Sequence, residues 1–275
     1  MPTSDLDNPQ PQQDPRLDAG VVSPARRWNY WLGGKDHFQV DRDSGDRIAG
    51  VYPAVRTAAQ EGRAFHNRTI TFLAREAGIR QFLDIGTGLP APANTHEVAQ
   101  AITPSARVVY VDNDPMVLAH ARALLIGSPE GATSYIDADL NDPAAILGAP
   151  ELAATLDLRE PVGILLYAVL HFIREDSHAR KVVADLLAAV PAGSYLVASN
   201  STKDFVPPEV AGMYDQMLAK GLVDAWPRDR ATFSRFFDGL SLVDPGVVAI
   251  SDWRPATAEH ASAAEVSMFG AVGRK

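Results

Sequence analysis

One stretch of the chain, residues 80–90, constrains its fold more than any other. It reads RQFLDIGTGLP and consists of a short apolar run, an acidic residue and a turn with two glycines. Apolar runs of this length that follow a helical pattern are typical of buried parallel strands. Gly86 and Gly88 give the backbone conformational freedom and let a ligand approach the main chain closely. The segment therefore predicts the first strand of an α/β sheet, 80–85, followed by a loop that binds a nucleoside-containing cofactor.

The glycine spacing does not by itself identify the cofactor. Residues 86–91, GTGLPA, also match the dinucleotide-binding pattern G-x-G-x-x-G/A. Asp84 favours a different ligand, because a carboxylate two residues before the loop repels a pyrophosphate and attracts a cofactor that carries an ammonium and a sulfonium group. S-adenosylmethionine (SAM) has both groups and no phosphate. We therefore expect SAM as the cofactor, S-adenosylhomocysteine as its product, and Thr87 among the residues that contact it.

Pro90 and Pro92 indicate how the glycine loop ends. Proline is favoured in the first turn of a helix. The sequence therefore predicts a helix that begins at Pro90 and continues to about residue 102. The free N–H groups of its first turn would face the ligand.

A second apolar strand, 107–111, also ends in acidic residues. An acid at the end of the second strand can accept hydrogen bonds from both hydroxyls of a ribose, and each such charge-assisted contact contributes roughly 1.5–3 kcal/mol. We assign this role to Asp112 and expect Asn113 to lie beside it at the cofactor. Asp114 is interpreted as the N-cap of a helix over 115–125.

A third, short strand is predicted over 133–136 and leads into a further acidic turn. Asp139 is expected to accept a hydrogen bond from the adenine amino group, and Leu140 is expected to cover a face of the ring. Asp137 is the less favoured acid, because it can be a solvated turn residue.

The most apolar strand, 161–167, is predicted to lie centrally, beside the first strand. Ligands bind beyond the carboxyl ends of parallel strands, so Tyr167 and Ala168 are expected to contact the cofactor. His171, four residues after Tyr167, is the candidate general base for an acceptor with a high pKa. The alternative is that His171 is a structural hydrogen-bonding residue behind a core strand.

Residues 23–38, SPARRWNYWLGGKDHF, are richer in aromatic side chains than any other part of the chain. Two interpretations stay open. The rings can anchor the segment on the main domain while the glycine pair ends a helix. They can also form a lid over the cofactor, with the glycines as a hinge and with Tyr30 and Gly33 in contact with the cofactor. Two helices are predicted next, over about 41–50 and after Pro53.

The remaining sequence completes the predicted organisation. Further strands are expected over 193–200, 240–243 and 266–272. An insertion of about 201–239 carries aromatic and methionine side chains that form core or the walls of a substrate pocket. The predicted organisation is a disordered tail (1–22), an N-terminal helical extension or lid (23–79) and a SAM-binding domain (80–275).

Composition excludes several classes of function. The chain has 275 residues, a net charge of −9 and no cysteine. The negative charge disfavours nucleic acid as a partner, and the lack of cysteine excludes disulfides and thiolate metal sites. We found no metal-ligand cluster, signal segment or membrane helix in the sequence. A cytoplasmic protein with a small-molecule substrate is expected, and its oligomeric state is not predicted.

The order of the motifs resembles that of the class I SAM-dependent methyltransferases. The first four motifs of that class correspond to Asp84–Gly88, Asp112, Asp139–Leu140 and the strand that ends at Tyr167, and the resemblance extends over residues 81–275. Residues 23–36, with SPAR and YWLGGKD, are similar to a bacterial family described only as S-adenosyl methyltransferases. Together these resemblances cover nearly the whole chain except the tail.

The resemblance implies a Rossmann-like α/β fold with helices on both faces of a seven-stranded, mostly parallel sheet. Its strand order would be 3-2-1-4-5-7-6, with strand seven antiparallel. The resemblance also implies that Asp84, Gly86 and Gly88 contact the methionine part of SAM. It implies that Asp112 contacts the ribose and Asp139 the adenine. Pro90 stands where many methyltransferases have a third glycine, so the course of that turn differs. The resemblance implies no particular methyl acceptor.

The sequence therefore predicts an enzyme that moves the methyl group of SAM to an O, N or C nucleophile of a small molecule by SN2 displacement. An NAD(P)-dependent oxidoreductase is disfavoured, because Asp84 would face the pyrophosphate and no Tyr-x-x-x-Lys pair begins at Tyr167. The main alternative is a SAM- or nucleoside-binding regulator without catalysis. An open apolar pocket beside the methyl group would favour the enzyme.

Overall fold

The computed structural model of the protein describes residues 18–124 and 127–275. Most of the predicted tail, residues 1–17, lies outside the described residues, as do residues 125 and 126. Residues 18–22 are exposed and form neither helix nor strand.

The described residues contain one mixed sheet. Its strands are β1 (Gln81–Ile85), β2 (Arg107–Asp112), β3 (Ala132–Asp137), β4 (Gly163–Leu166), β5 (Tyr195–Ser201), β6 (Ser241–Leu242), β7 (Val248–Ala249) and β8 (Met268–Arg274). The order is β3-β2-β1-β4-β5-β8-β6, and β7 also pairs with β8. Strands β1 to β5 are parallel, whereas β8 is antiparallel to β5. The predicted order is confirmed, with the two-residue strand β7 as an addition.

Helices cover the sheet, and the first three of them precede β1 in the chain. They are α1 (Pro24–Trp31), α2 (Gln39–Val51), α3 (Val55–Arg75), α4 (Thr95–Ile102), α5 (Pro115–Leu124), α6 (Pro143–Leu147), α7 (Pro150–Thr155), α8 (Asp176–Ala188), α9 (Pro208–Ala219), α10 (Arg230–Ser234) and α11 (Ala263–Val266). Since α11 includes Val266, the last strand begins two residues later than the sequence predicts. None of the helices in the described ranges is long and apolar enough to cross a membrane.

The sheet is buried on both faces, which explains why its strands read as apolar runs. Side chains alternate along a strand, so Phe82 and Leu83 of β1 lie in different core clusters. Phe82 packs in the cluster that contains Leu73 of α3, and Leu83 in the one that contains Leu186 of α8. The α3 helix therefore covers one face of the sheet and α8 the other.

Polar contacts at the amino end of α1 hold it in place. Arg26 Nε donates to Asp41 Oδ2 at 2.9 Å, and the N–H of Ser23 donates to the other oxygen of the same carboxylate at 2.9 Å. Both charged side chains of this pair are buried. A buried charge needs a partner, and each of these two side chains is the partner of the other. Ser23 Oγ also donates to Asp114, just beyond β2. These contacts fix α1 against α2 and against the carboxyl end of the sheet.

The helix after β1 begins later than the prolines predict. Residues 90–94 form a loop, and α4 starts at Thr95. Ala93 has a left-handed backbone with φ 62°, which interrupts any helix from Pro90. Asn94 and Glu97 then form a capping box in which the N–H of Asn94 donates to Glu97 at 2.7 Å. The prediction of a helix from Pro90 was therefore wrong, and the ligand loop is longer than expected.

Candidate active site

A cavity of about 400 Å³ lies at the carboxyl ends of β1, β2 and β4. This volume falls within the range of small-molecule sites. All of the residues predicted to bind the cofactor line it, except Tyr30 and Gly33: Asp84, Gly86, Thr87, Gly88, Asp112, Asn113, Asp139, Leu140, Tyr167 and Ala168. The sheet brings them together because parallel strands end at the same edge.

Asp112, the last residue of β2, connects the walls of this cavity. One of its carboxylate oxygens accepts a hydrogen bond from the N–H of Gly88 at 2.9 Å, and the other accepts one from the N–H of Asp114 at 2.9 Å. Burial raises the pKa of Asp112 to about 6. A carboxylate has about four acceptor positions, so Asp112 keeps capacity for two hydroxyl donors from a ligand.

The acidic turn after β3 lies beside Asn113. Asp139 Oδ2 accepts a hydrogen bond from the side-chain amide of Asn113 at 3.4 Å, and Asp139 Oδ1 accepts one from the N–H of Asn141 at 2.8 Å. The next residue, Leu140, is buried. An acceptor and an apolar surface therefore lie next to each other at this part of the cavity.

Gly86 meets the loop that follows β4. A Cβ atom added to Gly86 would lie 2.4 Å from Cγ2 of Val169, and the residue has φ +74°. Glycine is therefore required here by close packing and by backbone conformation. The contact between Gly86 and Val169 holds the glycine loop against the segment that follows β4. In that segment, the N–H of Ala168 donates to Ser199 Oγ at 3.0 Å.

We expect Gly86→Ala to lower the free energy of unfolding by about 1–3 kcal/mol, because Val169 must move and the left-handed backbone is strained. Urea denaturation of the protein without ligand measures this loss. Gly212→Ala is the control, since an added Cβ at this position of α9 meets no atom within 4 Å; it should stabilise the helix by about 0.5–1 kcal/mol. A Gly86→Ala protein as stable as wild type would contradict the packing argument.

Asp84 is buried at the end of β1 within a chain of hydrogen bonds. Its carboxylate accepts a hydrogen bond from Thr95 Oγ1, and that hydroxyl lies 2.9 Å from Nε2 of His66 on α3. Burial raises the pKa of Asp84 to about 6 and lowers that of His66 to about 3. His66 is therefore neutral, and Asp84 is the anion of this part of the cavity above pH 6.

Arg63 of α3 was not identified from the sequence, yet it lines the same cavity. Its Nη2 donates to the carbonyls of Pro92 at 3.1 Å and Ala93 at 2.9 Å. Its Nε is buried and has no hydrogen-bond partner among the described residues. A buried donor without a partner costs roughly 1–3 kcal/mol, which a ligand acceptor can recover. With Asp84 nearby, the cavity fits a ligand that carries both an ammonium and a carboxylate.

The aromatic segment covers the cavity with different residues from those predicted. Tyr30 points elsewhere: its hydroxyl donates to Asp46 at 2.7 Å, and the guanidinium of Arg56 lies 4.7 Å from its ring centre. Gly33, with φ +80°, follows the end of α1 and does not line the cavity. The residues of this segment that do line it include Ala25, Trp28, Asn29 and Leu32, which share one face of the α1 segment.

His171 does not line this cavity, and the structure does not support it as the general base. Its ring is buried in a short 3₁₀ turn, where Nδ1 accepts a hydrogen bond from the N–H of Ser201 at 3.3 Å. Burial lowers the pKa of His171 to about 3. The neutral ring therefore carries its proton on Nε2, which leaves no free lone pair to accept another. The structural interpretation of this residue fits better.

Known proteins resemble this chain over most of its length. Residues 10–275 match the model of a family described as S-adenosyl methyltransferase. A DUF574 family protein from Streptomyces avermitilis is 44% identical, with a TM-score of 0.88 over 94% of this chain and 99% of that one. A protein from Thermobifida fusca, provisionally named a methyltransferase, is 38% identical, with a TM-score of 0.86 over 97% of this chain and 99% of that one. No curated protein is significantly similar to the chain.

Proposed function

Because this chain belongs to the S-adenosyl methyltransferase family, its cofactor is SAM, and we propose that it transfers the methyl group to an oxygen, nitrogen or carbon nucleophile of a small molecule. One observation carries the proposal. A buried anion, Asp84, and a half-buried cation, Arg63, whose buried Nε has no partner among the described residues, line a cavity that also reaches Asp139 and Leu140 beyond β3. This combination suits an amino acid joined to a nucleoside.

In the proposed complex, the nucleoside is held by the ends of β2 and β3. Asp112 accepts hydrogen bonds from the two ribose hydroxyls, with Asn113 beside it. Asp139 accepts the adenine amino group, and Leu140 covers a face of adenine. The positions of these side chains on the cavity wall support the assignments.

The methionine part is held between β1 and α3. Asp84 attracts its ammonium group, and Arg63 Nε donates to its carboxylate. Thr87 and the flanking glycines allow the main chain to approach the ligand. The buried, unpaired Nε atom supports this arrangement, because a carboxylate would complete its hydrogen bonding.

Bound SAM supplies an electrophilic methyl group: a lone pair of the acceptor forms the new bond to carbon, and the electron pair of the broken carbon–sulfur bond stays on sulfur. A proton carried by the acceptor passes to solvent. The protein aligns the two reactants, and such alignment lowers a barrier by about 7–11 kcal/mol. We propose that the helical extension, residues 23–79, covers the cofactor on the domain formed by residues 80–275, because Trp28 and Asn29 of α1 line the cavity.

An enzyme is favoured over a non-catalytic regulator by the space beside the cofactor cavity. A second cavity, described below, is open rather than filled by a large side chain.

A test of methyl transfer uses SAM with a ¹³C-labelled methyl group and a library of small hydroxyl, amine and carbon acids, with release of S-adenosylhomocysteine measured by mass spectrometry. Acceptor-dependent release that is lost in Asp112→Asn supports the enzyme. Binding of SAM with no release above the rate without protein, for every acceptor, supports the regulator.

The affinity for SAM should fall as the pH decreases from 7 to 5. Burial raises the pKa of both Asp84 and Asp112 to about 6. Only the ionised carboxylates make the proposed contacts, so binding is strong above pH 6 and is lost as the pH falls through this value. Each group contributes about a tenfold loss at pH 5, one unit below its pKa. An α-amino group, with a pKa of about 7.7–8.0, stays protonated over this range.

Calorimetric titration with SAM across this pH range measures the effect. Asp112→Asn is the control, because it removes one of the two titrating groups and should reduce the pH dependence to that of a single proton. An affinity that stays constant between pH 7 and 5 would contradict the involvement of both carboxylates.

A further inference from the structure

A second cavity, of about 120 Å³, lies between the N-terminal helices and the insertion that follows β5. Its walls are mostly apolar and include Trp31, Ile48, Val55 and Ala58 from α1 to α3, and Val210 and Ala211 from α9. An apolar cavity of about 150 Å³ in another protein binds benzene. The size of the second cavity therefore suits a single ring.

The second cavity adjoins the cofactor cavity. Trp28, Phe172 and Met268 line both of them and therefore mark the boundary where the two cavities meet. A ligand in the second cavity therefore lies beside the cofactor cavity.

Polar atoms without partners line the second cavity. Arg27 Nε and Ser201 Oγ are both buried and have no hydrogen-bond partner among the described residues. His171 also lines the cavity, and its Nε2 proton is the free donor of the neutral ring. Buried polar groups are nearly always hydrogen-bonded, so these atoms indicate a polar ligand group.

Ser201 and His171 are neighbours in the wall of this cavity, since the N–H of Ser201 donates to Nδ1 of the His171 ring. Ile48 and Val51 of α2 and Val210 and Ala211 of α9 form an apolar part of the wall. A ligand therefore meets polar groups on one part of the wall and apolar side chains on another.

The charges around the cavity indicate a neutral ligand. The guanidinium of Arg27 is paired with the carboxylate of Asp224 through Nη2, and Lys203 Nζ is paired with Asp215 at 2.7 Å. Each cation that lines the cavity thus has an acidic partner, and no net charge is left for an ionic ligand.

We propose that the second cavity binds the methyl acceptor and that the acceptor is a neutral, single-ring molecule with one hydroxyl group, of the phenol class. The inference rests on the proposed methyl transfer, in which the hydroxyl oxygen would meet the SAM methyl group at the boundary of the two cavities. Arg27 Nε, Ser201 Oγ and His171 Nε2 would hold that hydroxyl. His171 then acts as a hydrogen-bond donor to the acceptor and not as a base.

The test uses 4-fluorophenol as the probe and 4-fluorotoluene as the analogue without the hydroxyl, both observed by ¹⁹F NMR with protein saturated with S-adenosylhomocysteine. Ala211→Phe fills the cavity from α9, where Ala211 is half-buried and outside the core. Met213→Phe is the matched control, since Met213 is exposed on the same helix and does not line the cavity. Ser201→Ala removes one of the unpaired polar atoms. The affinity of each variant for S-adenosylhomocysteine is measured by calorimetry and reports whether the variant is folded.

We expect wild type to bind 4-fluorophenol about tenfold more tightly than 4-fluorotoluene, because the hydroxyl meets the unpaired polar atoms. Ala211→Phe should abolish this binding, Ser201→Ala should reduce the preference for the phenol, and Met213→Phe should change neither. S-adenosylhomocysteine should bind all of these proteins equally well.

Two results would overturn the inference: no binding of 4-fluorophenol to the wild-type complex, or binding that Ala211→Phe leaves unchanged. Displacement of S-adenosylhomocysteine by 4-fluorophenol would also overturn it, because the probe would then occupy the cofactor cavity. Failure of the proposed function is distinguishable, since it would appear as no binding of S-adenosylhomocysteine, or as no release of S-adenosylhomocysteine from SAM with any acceptor, whereas the inference is tested by the binding of 4-fluorophenol.

Discussion

Asp112→Asn should weaken SAM binding by about 100-fold, because two charge-assisted hydrogen bonds to the ribose, each of roughly 1.5–3 kcal/mol, lose the charge that strengthens them. The variant keeps the volume of the side chain. It also affects the contacts that Asp112 makes with the N–H groups of Gly88 and Asp114, so the glycine loop loses part of its support. Calorimetric titration with SAM and with adenosine should give losses of similar size, since both ligands contain the ribose.

The control for this variant is Asp142→Asn. Asp142 also accepts a hydrogen bond from a backbone N–H, that of Ala145 at 3.1 Å, but it does not line the cofactor cavity. The same chemical change there should leave both affinities as they are. If Asp112→Asn binds adenosine as tightly as wild type, the ribose contact of Asp112 is refuted.

Arg63→Met should weaken SAM binding by about 100-fold while leaving adenosine binding nearly unchanged. A hydrogen bond between a guanidinium and a carboxylate is charge-assisted, and it is lost together with the attraction between the two charges. Methionine is unbranched and fills much of the same space. Adenosine has no amino acid part, so its affinity reports only whether the nucleoside site is intact.

The comparison of the two ligands also tests whether Arg63 acts through the loop. Arg63 supports the carbonyls of Pro92 and Ala93, and collapse of that loop would weaken SAM and adenosine alike. Arg68→Met is the matched control on the same helix, because Arg68 donates to the carbonyls of Trp253 and Ile250 outside the cavity. Equal losses for SAM and adenosine in Arg63→Met would contradict a contact with the SAM carboxylate.

The parts of the site that the sequence predicts are those in which each residue lies at the carboxyl end of a strand. Asp84, Asp112 and Tyr167 occupy such positions, and a parallel sheet brings the ends of β1, β2 and β4 to one edge. Strand order and the antiparallel last strand followed from the resemblance to a family. Local sequence and topology are sufficient for these residues because no long-range side-chain contact is needed to position them.

Arg63 could not be predicted in the same way, because its position depends on tertiary packing. It precedes β1 in the chain and reaches the cavity only because α3 covers the sheet beside the loop at Pro92. A weak signal was present: Arg63 and His66 fall between Ala59 and Ile70 on a buried helix face, where an arginine and a histidine are unusual.

The error at Tyr30 has a simple geometric cause. Successive residues of a helix are separated by about 100°, so Trp28 and Tyr30 point in nearly opposite directions. The residues that line the cavity, Ala25, Trp28 and Leu32, follow the spacing i, i+3 and i+7. Aromatic content located the covering segment, but only this periodicity identifies the face that contacts the cavity.

His171 was selected as a base because it follows a central strand at the ligand edge of the sheet. The 3₁₀ turn at Leu170–Phe172 instead directs its ring towards Ser201 and the second cavity. The sequence contains no signal for that turn. The prediction of a helix from Pro90 was wrong for a related reason, since nothing in the sequence indicates that Ala93 adopts a left-handed backbone.

The most direct test of the central claim is a calorimetric titration of the wild-type protein with SAM, S-adenosylhomocysteine, NAD and NADP under identical conditions. SAM and S-adenosylhomocysteine should bind and neither dinucleotide should, because a pyrophosphate would be placed beside the buried carboxylates of Asp84 and Asp112. Binding of NAD or NADP without binding of SAM would contradict the assigned site and, with it, the proposed methyl transfer.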